Sequence, residues 1–242
     1  MTDASTAKPL ALVTGASRGI GAALAARLAK GGFHVVLTAR TEAGLVETDD
    51  AVQAAGGSAT IAPLDLMKGE DIDKLAAAVA SRWQGLDLLV LNAAMLGTLS
   101  PLVHVPVREF EEVVALNLVA QWRLIRAFDP LLRRARGAVV AITSSVADGG
   151  RAYWGPYAAS KAGLENLVGT YADEMKALGV NALIVDPGAT RTTMRARAYP
   201  GEDAATLKTA ETVAERIAER LAAGLTPGCS RLAIGRDGSV IA

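Results

Sequence analysis

Short apolar runs recur along this chain, each followed by a longer stretch with helical spacing, and no other feature restricts the fold as much. The runs are residues 10–13 (LALV), 33–38 (FHVVLT), 58–64, 86–91 (LDLLVL), 138–143 (AVVAIT) and 180–185 (VNALIV), with 231–234 as a seventh. Helical stretches fill the gaps, the clearest being 20–29, 71–82, 108–133, 157–177 and 211–223. Strands that are apolar throughout, rather than alternating, belong in a sheet buried on both faces. The pattern therefore predicts a single α/β domain over residues 1–242. Its form is a Rossmann-type, doubly wound parallel sheet of about seven strands with helices on both faces. No repeat, low-complexity tract or domain linker interrupts it. The polar segment 195–208 (RARAYPGEDAATLK) reads as a mobile loop within that domain.

Composition removes several classes of function. Apolar residues make up 51% of the chain but aromatics only 4%, so the core is built from aliphatic side chains and alanine. Lys and Arg balance Asp and Glu at 25 each, which gives nucleic acid or an anionic membrane no general attraction. The lone Cys229 has no partner for a disulfide and no companions for a metal site. No apolar run approaches the roughly 20 residues of a membrane span, and the first residues lack a signal-peptide core. The expected setting is reducing and cytoplasmic, with small-molecule chemistry and no metal.

The first strand runs into Thr14-Gly15-Ala16-Ser17-Arg18-Gly19-Ile20-Gly21, which opens the first helix. Gly15 permits a tight turn, Gly19 lets backbone approach a pyrophosphate, and Gly21 lets helix pack closely on strand. Amides at the helix start then face the phosphates. The strand–turn–helix setting is the context such a glycine cluster requires for dinucleotide binding.

Farther along, Tyr157 and Lys161 stand four residues apart at the start of a helix, on one face. A free phenol has a pKa of roughly 10 and is a poor base at neutral pH. A neighbouring ammonium favours the phenolate and brings it towards acid–base use. Upstream, Ser144 and Ser145 end a strand, where doubly wound sheets place their ligands. A serine there can hydrogen-bond an oxygen that gains negative charge. Asn117 sits within an apolar helical segment (VVALNLVAQW), where an amide must find partners. Taken from the residue alone, it could equally be a satisfied helix–helix contact.

In this order and company, these residues resemble the Asn–Ser–Tyr–Lys tetrad of the short-chain dehydrogenase/reductase family, and the likeness extends from about Lys8 to Arg191. The resemblance implies a hydride transfer between a nicotinamide cofactor and a carbonyl or secondary alcohol, 3-oxoacyl thioesters among them. Tyr157 would be the acid–base group and Ser145 would orient the substrate oxygen. Lys161 would bind the nicotinamide ribose and lower the tyrosine pKa. Asn117 would hold a water linking the lysine to solvent. Ser145 suits the family's S-S-x-A phrase, whereas Ser144 suits its spacing to the tyrosine. The same likeness assigns cofactor contacts to Gly15, Ser17, Arg18, Gly19, Ile20 and Gly21 in the turn. It adds Asp65 and Leu66 after the third strand, Asn92 and Ala93 after the fourth, and Pro187, Gly188, Thr190 and Thr192 after the sixth. Ala94 stands where the family usually has glycine.

The second strand ends at Thr38-Ala39-Arg40-Thr41 without the acid that binds a ribose 2′-hydroxyl in NAD sites. Arg40 and Arg18 instead suit a 2′-phosphate, so NADP is favoured over NAD. Tyr153 and Trp154 are candidates for an apolar wall over the substrate. The helix at 108–133 carries more apolar residues than one stripe needs (Val113, Val114, Leu116, Leu118, Val119, Trp122, Leu124 and Ile125) and is the expected interface of a homodimer or homotetramer. The competing reading is a non-catalytic dinucleotide sensor on the same fold. It leaves the Tyr157–Lys161 pair without a purpose.

Overall fold

The computed structural model describes residues 8–241. Its strands are β1 (Leu10–Thr14), β2 (His34–Thr38), β3 (Ser58–Ile61), β4 (Leu88–Leu91), β5 (Ala138–Ile142), β6 (Asn181–Asp186), β7 (Cys229–Ile234) and β8 (Val240–Ile241). The helices are α1 (Gly19–Lys30), α2 (Glu42–Ala54), α3 (Gly69–Arg82), α4 (Val107–Val114), α5 (Ala120–Ala135), α6 (Gly155–Met175), α7 (Thr193–Ala198) and α8 (Ala210–Ala222). All eight strands form one sheet in the order β3-β2-β1-β4-β5-β6-β7-β8, parallel except for the final β7–β8 pair. The chain builds outward from β1 to β3 and then returns to the other side of β1 with β4. That reversal opens a crevice at the carboxyl ends of β1 and β4, where such sheets bind their ligands.

Every residue of β1 and β4 is buried, because helices cover both faces. Leu10, Leu12, Leu89 and Val139 point into one apolar layer with Ile72 of α3, Phe128 of α5 and Leu164 of α6. Ala11, Val13, Leu88 and Val140 point into the other, with Leu24 of α1, Leu45 of α2 and Ile217 of α8. This two-sided burial is the physical source of the unbroken apolar runs in the sequence.

Three details differ from the sequence reading. A two-residue antiparallel β8 completes the sheet beyond the expected seven strands. The expected helix 108–133 is two helices joined by a π-helical turn, Ala115–Val119, and Asn117 is in that turn. Much of its apolar breadth is used inside the molecule, with Val113, Leu124 and Ile125 buried, while Val107, Phe110, Val119 and Trp122 remain exposed. The segment read as a mobile loop holds part of α7 and a 3₁₀ turn, Ala204–Thr206. Glu202 ties it down by pairing with Arg195 at 2.5 Å and Arg236 at 3.0 Å. Charge spacing along the sequence does not reveal that clamp, because Arg236 arrives from the β7–β8 turn.

Candidate active site

Gly15 and Gly19 adopt positive φ values of 63° and 58°, a region that favours glycine. A Cβ on Gly15 would lie 2.9 Å from the Ala93 backbone, and one on Gly21 would lie 2.3 Å from the Gly15 carbonyl oxygen. The turn is thus closed on the side of β4 and α1. Around Gly19, however, the nearest atom is the Thr192 side chain at 3.6 Å. The first turn of α1 contains no acidic residue, and among the described residues no side chain caps its start. Its amides are therefore available to an anion, as a pyrophosphate requires.

Surrounding groups hold this turn in place. The Thr14 hydroxyl donates to the Val90 carbonyl at 3.0 Å and accepts from the amides of Asn92 and Ala93. The Asn92 amide donates to the Thr14 carbonyl at 2.9 Å and to Gly15 at 3.2 Å, so its side chain is committed to supporting the turn. Ala16 donates its amide to the Thr38 carbonyl at 3.1 Å, and Leu64 donates to Ala39 at 2.9 Å. These bonds gather the glycine turn, the end of β2 and the segment before Asp65 along one rim. Arg18 and Arg40 are exposed there and make no ion pair among the described residues. Gly44 of α2 rests against Ser17. The Asp65 carboxylate accepts from the Met67 amide at 3.1 Å, and Leu66 and Ile20 pack towards the two apolar layers. Leu66 and Ile20 therefore offer a cofactor backbone groups more readily than side chains.

The second half of the site is built on α6. Tyr157 and Lys161 are both buried, and the lysine ammonium lies 5.7 Å from the tyrosine ring centroid. The ammonium donates to the Ile142 carbonyl at 2.7 Å, which fixes it at the end of β5. Burial pulls its pKa down to about 8, opposed by the charge of Glu165 one helical turn away. Burial first, and then the charge of Asp186, push the Tyr157 phenol above its ordinary value. Glu165 is itself held by the Thr143 hydroxyl at 2.6 Å and by Arg231.

Asn117 is fully buried and its amide is well occupied. Its oxygen accepts from the Met95 amide at 2.8 Å, and its nitrogen donates to the Met95 carbonyl at 2.8 Å and to Ser160 at 3.1 Å. The π-helical turn places it there, as such turns often do at functional sites. Ser160, next to Lys161, donates to the Tyr157 carbonyl at 2.8 Å. Ser144 is half-buried and extended, whereas Ser145 is exposed and starts a 3₁₀ turn. Neither hydroxyl has a hydrogen-bond partner among the described residues.

Beyond β6, Gly188 takes a φ of 58°, and a Cβ there would collide with the Ile234 carbonyl at 2.3 Å. The Thr190 hydroxyl donates to the Pro187 carbonyl at 3.0 Å, while Thr192 caps α7 by accepting from the Arg195 amide at 3.1 Å. Lys208 donates to the Ala189 carbonyl at 3.0 Å and pins this loop to the rest of the sheet. A cavity of about 460 Å³ lies between Gly19, Thr192 and Tyr199. A larger cleft of about 760 Å³, lined by Arg133, Arg134, Arg136 and Lys176, lies near the starts of β5 and β6, away from these groups.

A small separate apolar cluster closes over the tyrosine. It comprises Leu96, Val146, Tyr157 and Ala158, with Trp154, Met194 and Ala198 packed against them. Trp154 meets Tyr157 edge-on at 5.9 Å and Tyr199 at 6.0 Å. Tyr153 is 59% exposed, so of the two expected wall aromatics only Trp154 lies against the site. Through Thr192 and Met194, the α7 segment touches both the glycine turn and the tyrosine cluster. Sequence reasoning did not single out Ser160, Glu165, Asp186 or Tyr199. Asp186 gave one signal, a carboxylate at the carboxyl end of an otherwise apolar strand.

The sheet order, glycine turn and buried Tyr-Lys pair define a Rossmann-type oxidoreductase architecture. The chain belongs to the short-chain dehydrogenase family, whose model matches residues 9–203. A curated relative from Escherichia coli, the uncharacterized oxidoreductase YciK, is 38% identical over 203 residues, covering 82% of this chain and 80% of its own. The 3-oxoacyl-[acyl-carrier-protein] reductase FabG of Vibrio cholerae is 32% identical over 199 residues, covering 82% of this chain and 80% of its own. Among solved structures, a Shigella flexneri short chain dehydrogenase complexed with NADP superposes with a TM-score of 0.81 at 35% identity. That match covers 84% of this chain and 87% of the other. Among the described residues no helix is long and apolar enough to cross a membrane.

Proposed function

We propose that this protein is an NADP-dependent oxidoreductase that interconverts a carbonyl compound and a secondary alcohol. The observation that carries the reading is the burial of Tyr157 and Lys161 together at the end of β5, with α7 bridging them to the glycine turn. A buried ammonium is costly. A protein that only sensed a dinucleotide would have no need to aim one at a phenol.

The residues fit a dinucleotide. The amides of α1, which no side chain caps among the described residues, and the open side of Gly19 would receive the pyrophosphate, and the exposed Arg18 and Arg40 would receive a 2′-phosphate. The complex of the Shigella relative with NADP supports the same choice. The nicotinamide, when bound, supplies or accepts the hydride. Pro187, Gly188, Thr190 and Thr192 form the loop that would face it, and Lys161 would engage its ribose.

The Tyr157 hydroxyl gives its proton to the substrate oxygen during reduction and takes one back during oxidation. Its raised pKa keeps it a phenol at neutral pH, the form needed to donate. The Lys161 ammonium favours the phenolate left behind, because opposite charges close together in a dry site attract strongly. Ser145, or its neighbour Ser144, orients the substrate oxygen. Asn117 fastens the loop at Met95 to α6 and so keeps the lysine side of the site in register. Leu96, Val146 and Trp154 exclude water around the reacting oxygen.

The test is NADPH consumption with a panel of ketones, aldehydes and 3-oxoacyl thioesters, repeated with Tyr157→Phe. Turnover should fall on the order of 10²–10⁴-fold while cofactor affinity is kept. A Phe variant that turns over an identified substrate at the normal rate overturns the assignment.

A further inference from the structure

The sheet has a second concave surface, at the amino ends of its strands. Where β5 and β6 begin, the end of α5 and the 3₁₀ turn Lys176–Leu178 after α6 enclose a cleft of about 760 Å³. Arg133, Arg134, Arg136 and Lys176 line it, and all four are exposed. The chain carries acids and bases in equal number, 25 of each, so these cations are a local concentration of charge. Among the described residues, one ion pair touches them. Arg133 lies 3.6 Å from Asp129, whose carboxylate also accepts from the Tyr171 hydroxyl at 3.0 Å. Arg134, Arg136 and Lys176 have no acidic partner among those residues.

The backbone at Arg136 is what ordinary surface charge does not explain. The chain leaves α5 through a Schellman-type turn. The Gly137 amide donates to the Leu132 carbonyl at 2.9 Å, and the Arg136 amide donates to the Arg133 carbonyl at 3.3 Å. Arg136 is left-handed there, with φ 50° and ψ 43°, at the position where glycine is the default residue. The reversal after α6 closes on glycine in the usual way, with Gly179 at a φ of 80°. A Cβ on Gly179 would lie 3.4–3.5 Å from the Cβ, Cγ and Cδ of Arg136. The arginine stem therefore runs along Gly179, held between the two reversals. Cations in the last turn of a helix answer its carbonyl dipole, which accounts for Arg133 and Arg134. That dipole does not call for an arginine beyond the last turn, in a backbone conformation that L side chains disfavour.

We propose that this cleft binds a small polyphosphate, an anion of two or more linked phosphate groups. Guanidinium groups grip phosphate oxygens in pairs, and a concave cluster of one sign focuses the field that draws an anion in. The cations come from two separate chain reversals, so linked phosphates match their spread better than a single one. The lining contains no aromatic ring on which a base could stack, which selects the phosphate chain over a nucleoside. Its volume is that of a small-ligand site. Tyr157 and the glycine turn lie at the carboxyl ends of the strands, so the proposal does not depend on the reaction assigned to them.

The probe is inorganic triphosphate, titrated by calorimetry at low salt in a buffer free of phosphate. NADP⁺ is kept saturating, so that the glycine turn, Arg18 and Arg40 are occupied. One saturable site per chain is expected, with an affinity that falls as salt rises. Arg136→Gly installs the residue this backbone prefers and so keeps the turn, while Arg134→Ala alters an exposed side chain. Each should raise the triphosphate Kd about tenfold or more, as for loss of one charge-assisted contact, and leave NADPH affinity unchanged. No saturable heat, binding that NADP⁺ abolishes, or a Kd that neither substitution raises overturns the proposal. Citrate, a polycarboxylate, should bind more weakly than triphosphate. Equal or tighter citrate binding overturns the phosphate assignment.

Discussion

Lys161 should cost this protein stability, and the cost can be measured without a substrate. Its ammonium is fully buried, and among the described residues its hydrogen-bond acceptor is the Ile142 carbonyl. Burial lowers its pKa from 10.5 to about 8. At about 1.36 kcal/mol per unit, that shift corresponds to a penalty on the order of 3 kcal/mol. The sign follows from proton counting. Below pH 8 both folded and unfolded chains carry the charge, and the penalty is complete. Between 8 and 10.5 the unfolded chain holds the proton that the folded chain has lost, so stability rises with pH. By pH 9.5 roughly 2 kcal/mol of the penalty should be gone.

Lys161→Met keeps an unbranched apolar side chain of similar length and removes the charge. It also loses the charged hydrogen bond, worth roughly 1.5–3 kcal/mol. At pH 7 the variant should therefore match or modestly exceed wild type in stability, although it loses catalysis. Urea unfolding of the cofactor-free proteins at pH 7 and pH 9.5 is the assay. Wild type should gain about 2 kcal/mol relative to the variant over that range, because other titrating groups are shared and largely cancel. A stability difference that stays flat across those pH values refutes the reasoning about the buried ammonium.

Two further predictions concern specificity. Calorimetric titration should show NADPH binding more tightly than NADH. Arg40→Asp should swing the preference towards NADH by about tenfold or more, since a charge-assisted contact is worth roughly 1.5–3 kcal/mol; equal wild-type affinities would contradict the role of Arg18 and Arg40. Of Ser145→Ala and Ser144→Ala, the first should reduce kcat/KM about 10²–10³-fold and the second little, as for loss of one donor to a developing oxyanion. The reverse ranking would transfer the role to Ser144.

How well each part of the molecule reads from sequence depends on how local its cause is. The glycine turn reads well because tight backbone geometry demands glycine wherever it occurs, and the positive φ values at Gly15 and Gly19 meet that demand. The Tyr157–Lys161 pair reads well because one helical turn brings both onto one face. Asn92 shows the opposite case: its side-chain amide supports the glycine turn through carbonyls 78 and 77 residues away, a contact that no local pattern reveals. The π-helical turn at Asn117 was missed because its residues, Ala-Leu-Asn-Leu-Val, carry the same apolar spacing as an ordinary helix.

The sequence by itself determined the layered α/β architecture, the place of the glycine turn and the pairing of Tyr157 with Lys161 on one helix face. Those properties follow from hydrophobic period, glycine geometry and residue spacing, all of which act over a few residues. Tertiary structure alone decided that Glu202 clamps Arg195 and Arg236 and that Trp154 rather than Tyr153 lies against the site. It alone decided that the Lys161 ammonium meets the Ile142 carbonyl and that Lys208 holds the loop after β6 through the Ala189 carbonyl. The reason is physical: ion pairing, desolvation and edge-to-face packing act through space over a few ångströms. The groups they join here enter from β5, β6, α6, α7 and the β7–β8 turn, and only the closed sheet brings those ends together.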